Sequence, residues 1–229
     1  SNLVKKIRGE EGTTVHLQIY RESSGETLEV DVKRANVDLP SVSYEMLDGS
    51  IGYIQISEFQ SNTAEQFKAA VKDLQSQGMK SMIVDVRSNP GGLITTVVYT
   101  EDKYGKRENY TSDSNCLKLP IAVLVNENSA SASEIFAGAI KDYNYGTLIG
   151  VKTFGKGIVQ TVYPLEDGDA IKITTAKYYT PNGNYIHKVG ITPDIEVEYN
   201  YSGPKDEKYD KKYDNQLQKA IEVLQDEAK

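Results

Sequence analysis

The spacing of apolar residues along the chain switches between a period of two and a period near 3.6, and each switch predicts an element. In "TTVHLQIYRESSGETLEVDVKR", Thr13 to Arg34, apolar and polar residues alternate on both sides of "SSGE", which predicts two strands joined by a turn. The preceding "NLVKKIRGEEG" reads as the end of a helix stopped by glycine. Beyond the connector "NVDLP", a second strand pair, "SVSYEML" and "GSIGYIQIS", turns at "DGS". Phe67, Ala70, Val71 and Leu74 then fall at i, i+3, i+4 and i+7, which predicts an amphipathic helix closed by Gly78. "KSMIVDV" and "LPIAVLV" are short, nearly unbroken apolar runs, the pattern of strands covered on both faces. A helix beginning in "NENSASASEIFAGAIKD" follows, then the strand "GTLIGV", the alternating pair "GIVQTVYPL" and "DAIKITTAKYYT", and a last amphipathic stretch, "YDKKYDNQLQKAIEVLQDEAK", which reads as a solvated helix. Strands and helices alternate through the middle, so the expected fold class is α/β.

Two strands and a helix end are too little to bury a core, so residues 1–36 read as the distal part of a module whose partner elements lie upstream. Residues 37–200 read as the core domain and 201–229 as a linker and helix. The 229 residues, 38% of them hydrophobic, suffice for one substantial core. A net charge of −7 argues against nucleic acid as a partner, and no apolar run approaches the roughly 20 residues of a membrane-spanning helix. The single cysteine, Cys116, gives neither an internal disulfide nor a Cys-based metal site and reads as a small filler residue.

Candidate chemistry gathers in three loops that follow core strands, where ligands of open α/β sheets bind. "DVRSNPGG" ends in Gly91 and Gly92, whose backbone can approach a substrate closely or simply make a turn. "NENSASASE" sets Ser129, Ser131 and Ser133 at alternate positions where a helix begins. Ser131 and Glu134 have the capping-box spacing, and the same helix N-terminus would suit a nucleophile with an anionic intermediate beside it. The third loop, "VKTFGKGIVQ", places Lys156 between two glycines. A histidine base could come only from His16 or His187, which read as structural or exposed. Asp85 and Arg87 read as a structural pair supporting the glycine loop, and no ligand cluster suggests a metal. No cofactor is expected.

Taken together, "DVRSNPGG", "NENSASASEIFAGAIKD", "GVKTFGKGIVQ" and "YYTPNGNYIHKVGITPD" make the chain resemble the carboxyl-terminal processing proteases, serine peptidases of the tail-specific group, from about residue 40 to 198. The resemblance implies a crotonase/ClpP-like core preceded by a PDZ-like module. It implies Ser131 as nucleophile, Lys156 as general base and Gln160 as the group that orients the lysine. The oxyanion donors would be the backbone N–H groups of Ala132 and Gly92, with Gly91 as a further candidate. A lysine base needs its charged form disfavoured, and Phe154 and Ile158 are the apolar residues expected to surround it. The implied partners are protein or peptide substrates with accessible C-terminal tails, with homo-oligomers allowed, in an extracytoplasmic bacterial setting. A catalytically silent peptide-binding module and a crotonase-like acyl-CoA enzyme are the competing readings.

One departure stands out. Such proteases carry a helix after "NPGGL", whereas "GGLITTVVYTED" runs from loop to strand within a few residues. A parallel crossover needs a dozen or more residues, so a missing segment is expected between Leu93 and Thr100, with one face of "KSMIVDV" left short of cover.

Overall fold

The computed structural model describes residues 2–35, 40–92, 98–110, 117–165, 169–204 and 207–227, in two compact units that divide after Leu39. The first unit holds a short helix α1 (Asn2–Ile7) and an antiparallel hairpin of β1 (Thr14–Arg21) and β2 (Glu26–Lys33). The register pairs Val15 with Val32, Leu17 with Val30 and Ile19 with Leu28, so six apolar side chains share one hairpin face. Arg34 ties helix to hairpin, donating from Nε to the Ile7 carbonyl at 2.8 Å and from Nη1 to Thr13 Oγ1 at 2.8 Å.

In the second unit, β3 (Val42–Leu47), β4 (Ile51–Ile56), β5 (Ser81–Asp85), β8 (Ile121–Val125), β9 (Thr147–Gly150) and β12 (Ile195–Glu196) form a sheet in the order β12-β9-β8-β5-β4-β3. All neighbours are parallel except the edge pair β3–β4. Helices α2 (Thr63–Ser76) and α3 (Ala132–Asp142) supply Ala70, Val71, Leu74 and Ala137 to one face, against Ile54, Met82, Val84 and Val123. On the other face Ile51, Ile83, Leu124 and Ile149 pack on Leu217, Ala220 and Leu224 of α4 (Asn215–Glu227). The mixed α/β class is as expected. Between β5 and β8 the chain makes β6 (Val98–Asp102) and β7 (Arg107–Tyr110), which join β10 (Ile158–Pro164) and β11 (Ala170–Tyr179) in an antiparallel sheet of order β10-β11-β6-β7.

Two sequence expectations are corrected. The last helix is amphipathic but not solvated all round: Leu217 and Ala220 are fully buried and Leu224 is 1% exposed, because α4 is the cover for the second face of the sheet. The strand "KSMIVDV" therefore has both faces covered within the chain, every residue of β5 being buried. The argument for a missing crossover helix also loses its premise, since β6 is not a parallel neighbour of β5 but pairs antiparallel with β11. The interruption expected between Leu93 and Thr100 reaches into residues 93–97, which lie outside the described residues, as does Cys116.

Candidate active site

Three loops leave the C-terminal ends of β5, β8 and β9, and the hydrogen bonds among them assemble the site. After β8, Ser131 takes φ 55° and ψ −110° as the N-cap of α3, a conformation that costs a non-glycine residue about 1–3 kcal/mol and persists only where its surroundings enforce it. The enforcement is visible. Ser129 Oγ donates to the Val86 carbonyl at 2.8 Å and Ser133 Oγ to the Asn89 carbonyl at 2.9 Å, stitching both flanking serines to the glycine loop. Ala130 N–H donates to the same Asn89 carbonyl at 3.0 Å. The Ser131 N–H donates to Glu134 Oε2 at 3.0 Å, and the two residues form the capping box that their spacing predicts. The outer two serines are thus committed to holding the turn.

The glycine loop is organised by Asn89, which is fully buried. Its Nδ2 donates to the Ile56 carbonyl at 2.8 Å, and its Oδ1 accepts the Gly91 N–H at 2.8 Å. The Gly91 N–H is therefore engaged, and Gly91 serves the site by lacking a side chain: at φ +99°, a Cβ there would lie 2.7 Å from Ser131 Cβ and 2.9 Å from the Ala132 nitrogen. Gly92, at φ +139°, lies against the Phe59 backbone, where a Cβ would come within 1.9 Å of the Phe59 carbonyl oxygen. Among the described residues neither the Gly92 nor the Ala132 N–H has a protein acceptor. Nothing in the sequence marked Asn89 for this role beyond its place before Pro90.

The lysine loop after β9 hangs from Glu134, which is fully buried. Glu134 Oε1 accepts from Thr153 Oγ1 at 2.6 Å and from Gly155 N–H at 2.7 Å, and Oε2 accepts from Lys156 N–H at 2.7 Å. Phe154 N–H donates to the Ser129 carbonyl at 3.0 Å, so the lysine and serine loops touch through backbone as well. Lys156 is half-buried. Phe154 is 64% exposed and does not provide the buried apolar surround expected for the lysine, while Ile158 is half-buried. Gln160 is exposed on β10, beside a break in the β10–β11 register between Val159 and Gln160. No hydrogen bond joins Ser131, Lys156 and Gln160 side chains to one another among the described residues.

His16 lies in the first unit, where its Nδ1 is 2.8 Å from Asp31 Oδ1. His187 belongs to the segment beside the lysine loop: a Cβ on Gly157 would come within 2.5 Å of the His187 nitrogen. It is half-buried, with a buried Nδ1 that has no hydrogen-bond partner among the described residues. Asp85 and Arg87 form the expected pair at 2.7 Å, and Arg87 Nη2 reaches on to Asp214 Oδ2 at 2.8 Å. Among the described residues no group of three or more His, Cys, Asp or Glu could hold a metal ion.

A family model, peptidase family S41, matches residues 50–197, which takes in all three loops and Gln160. The chain belongs to peptidase family S41. A CtpA-like serine protease of Staphylococcus epidermidis is 42% identical over 212 residues, covering 85% of this chain and 43% of that protein. The corresponding protein of Staphylococcus aureus strain COL is 41% identical over 214 residues, with 86% and 42% covered. The S41 chain described here thus spans less than half the length of these relatives. Among solved structures, a photosystem II D1 C-terminal processing protease superposes with a TM-score of 0.63 at 32% identity, over 83% of this chain and 57% of that one. A lipoprotein from Streptococcus agalactiae superposes at 0.62 with 21% identity, over 81% and 69%, a likeness of fold.

Proposed function

We propose that this S41 domain is a serine endopeptidase that cleaves protein substrates near their C-terminal tails through an acyl-enzyme on Ser131. The observation that carries the reading is the strained Ser131 at the head of α3, with the unengaged N–H groups of Ala132 and Gly92 on the two loops that meet there. In the proposed cycle Ser131 Oγ attacks the scissile carbonyl carbon as its proton passes to the neutral Lys156 amine. The carbonyl oxygen becomes an oxyanion received by the Gly92 and Ala132 N–H groups, and the N-terminus of α3 favours its charge. Collapse breaks the C–N bond, and the Lys156 ammonium returns the proton to the departing amine. Water then attacks the ester with Lys156 again as base, releasing the acid and restoring the Ser131 hydroxyl.

Gln160 is proposed to orient the lysine, and from its exposed place on β10 it does so only after a side-chain rearrangement on substrate engagement, when catalytic hydrogen bonds commonly tighten. The core is read as crotonase/ClpP-like and the first unit as the distal part of a PDZ-like module, with an extracytoplasmic setting; these rest on the resemblance. The full chain should degrade an unfolded protein and react with a fluorophosphonate, and Ser131→Ala should abolish both. Lys156→Arg should abolish acylation, because arginine stays protonated. Hydrolysis by either variant at the wild-type rate would overturn the dyad. Turnover of an acyl-CoA thioester by the Ser131→Ala variant would favour the crotonase-like alternative.

A further inference from the structure

We propose that Glu134 is the positioning residue that fixes Lys156 relative to Ser131, a role that rests on the proposed dyad and extends it. Capping α3 asks of the Glu134 carboxylate only the bond from the Ser131 N–H. Glu134 does more: three of its four donors, Thr153 Oγ1, Gly155 N–H and Lys156 N–H, come from a loop 19 to 22 residues further along the chain. The decisive detail is that one oxygen, Oε2, accepts from the backbone of both proposed catalytic residues, Ser131 at 3.0 Å and Lys156 at 2.7 Å. Their nitrogens are thereby tethered to a single atom, each within one hydrogen-bond length of it. The other oxygen, Oε1, fixes the carboxylate plane through Thr153 and Gly155, so the group cannot rotate away. Thr153 Oγ1 in turn accepts the Ile191 N–H at 2.7 Å, which anchors the loop from its other side.

Two consequences reach the chemistry. The root of a long, flexible lysine side chain is fixed, which leaves side-chain rotamers of Lys156 and Ser131 as the freedom between amine and hydroxyl. The Ser131 N–H is also removed from the oxyanion set, so the donors to the reacting oxygen are Ala132 and Gly92. Glu134 touches neither substrate nor reacting atoms; it acts through the two backbones.

The test uses the full chain with unfolded casein as substrate and a fluorophosphonate as serine probe. Glu134→Gln keeps the size but offers one carbonyl oxygen, with NH2 turned to the other pair of donors, so either the dyad pair or the loop pair is lost. A misplacement near 1 Å costs about 10²-fold in rate, and the expected result is a loss of about that size in kcat with KM little changed and a displaced pH–rate profile for acylation. Glu134→Asp keeps the charge but is too short to hold both backbones, and should fall between wild type and Gln. Circular dichroism and thermal melting fix the folded fraction, and if the Gln variant does not fold, the Asp variant decides. Wild-type kcat in a folded variant, or activity lost only in proportion to the unfolded fraction, would overturn the proposal. Ser131→Ala and Lys156→Arg run alongside: activity in either sinks the dyad itself, whereas their inactivity beside active Glu134 variants sinks only the role of Glu134.

Discussion

At the scale of single residues, the candidate site was legible in the sequence where the proposed chemistry needs a particular side chain and illegible where it needs a contact. Ser131 and Lys156 stand out in the sequence only when the three loop motifs are read together, since a hydroxyl at a helix start is by itself an ordinary cap. Asn89 and the long reach of Glu134 do not, since their partners are separated from them in sequence and meet only when β5, β8 and β9 align. The same separation hides why Gly91 is glycine. Its N–H is held by Asn89, and its Cα faces Ser131 closely enough that a methyl would meet the Ala130 carbonyl oxygen at 2.7 Å. Backbone atoms cannot yield as a flexible side chain does, and a positive φ adds strain for any L-residue. Gly91→Ala is expected to destabilise the fold by about 1–3 kcal/mol and to lower peptidase activity by more than the folded fraction explains. Ala132→Pro removes one of the proposed oxyanion donors at a helix position that tolerates proline, and should cost about 10²–10³ in kcat. A folded proline variant with wild-type turnover would remove Ala132 from the site.

At the scale of elements, periodicity located nearly every strand and helix, because burial of one face or two leaves a direct imprint on apolar spacing. It could not say what each face meets. The last helix carried the imprint of one apolar stripe, yet only the structure brings that stripe onto β4, β5, β8 and β9. A buried ionic network locks it there. Tyr53 Oη donates to Asp85 Oδ2 at 2.7 Å, Arg87 bridges Asp85 and Asp214, and Tyr209 Oη donates to Asp214 Oδ2 at 2.6 Å. Asp214 also accepts the Leu217 N–H at 3.0 Å, capping α4, and Arg87 Nη1 donates to Gln216 Oε1 at 3.0 Å. Burial alone would push the Asp214 carboxyl up, but the hydrogen bonds from Arg87 and Tyr209 prevail and hold it below its usual value of 3.8. The sign follows from linkage. A carboxylate whose folded pKa is depressed adds stability above its unfolded pKa, and that stability is lost as pH falls through the folded one. Asp214→Asn should therefore cost about 1.5–3 kcal/mol at neutral pH, the range for a hydrogen bond to a charged group, since Arg87 keeps Asp85. The gap between wild type and variant should close as pH falls below about 4. Chemical denaturation at pH 7 and pH 3 checks this, and an equal gap at both would exclude Asp214 as the titrating anchor.

At the scale of the whole molecule, the sequence places the peptidase motifs within one stretch, and the S41 match over residues 50–197 agrees. Energetics, however, place α4 with that stretch, because Leu217, Ala220 and Leu224 complete the core that the sheet begins. The minimal cooperative unit is therefore Pro40–Lys229 and not the family match alone. Burial of a Leu side chain stabilises by about 1.5–3 kcal/mol, so losing Leu217 and Leu224 with Ala220, Asp214 and Gln216 removes an amount comparable with the roughly 5–15 kcal/mol that a domain has in total. The first unit is the opposite case: two strands and a six-residue helix, with Ile19, Val30 and Val32 on the exposed apolar hairpin face, cannot hold a fold of their own. The prediction is a pair of truncations. A chain of residues 40–229 should melt cooperatively near the full chain's Tm and label with a fluorophosphonate at a comparable rate. A chain of residues 1–200, which keeps every proposed catalytic residue but lacks α4, should show exposed apolar surface by dye binding, no cooperative melt and no labelling. If residues 1–200 melted cooperatively and labelled like the full chain, α4 would be an appendage and the cover of β5 would have to come from elsewhere. If residues 40–229 lost their cooperative melt instead, the first hairpin would prove part of the same core.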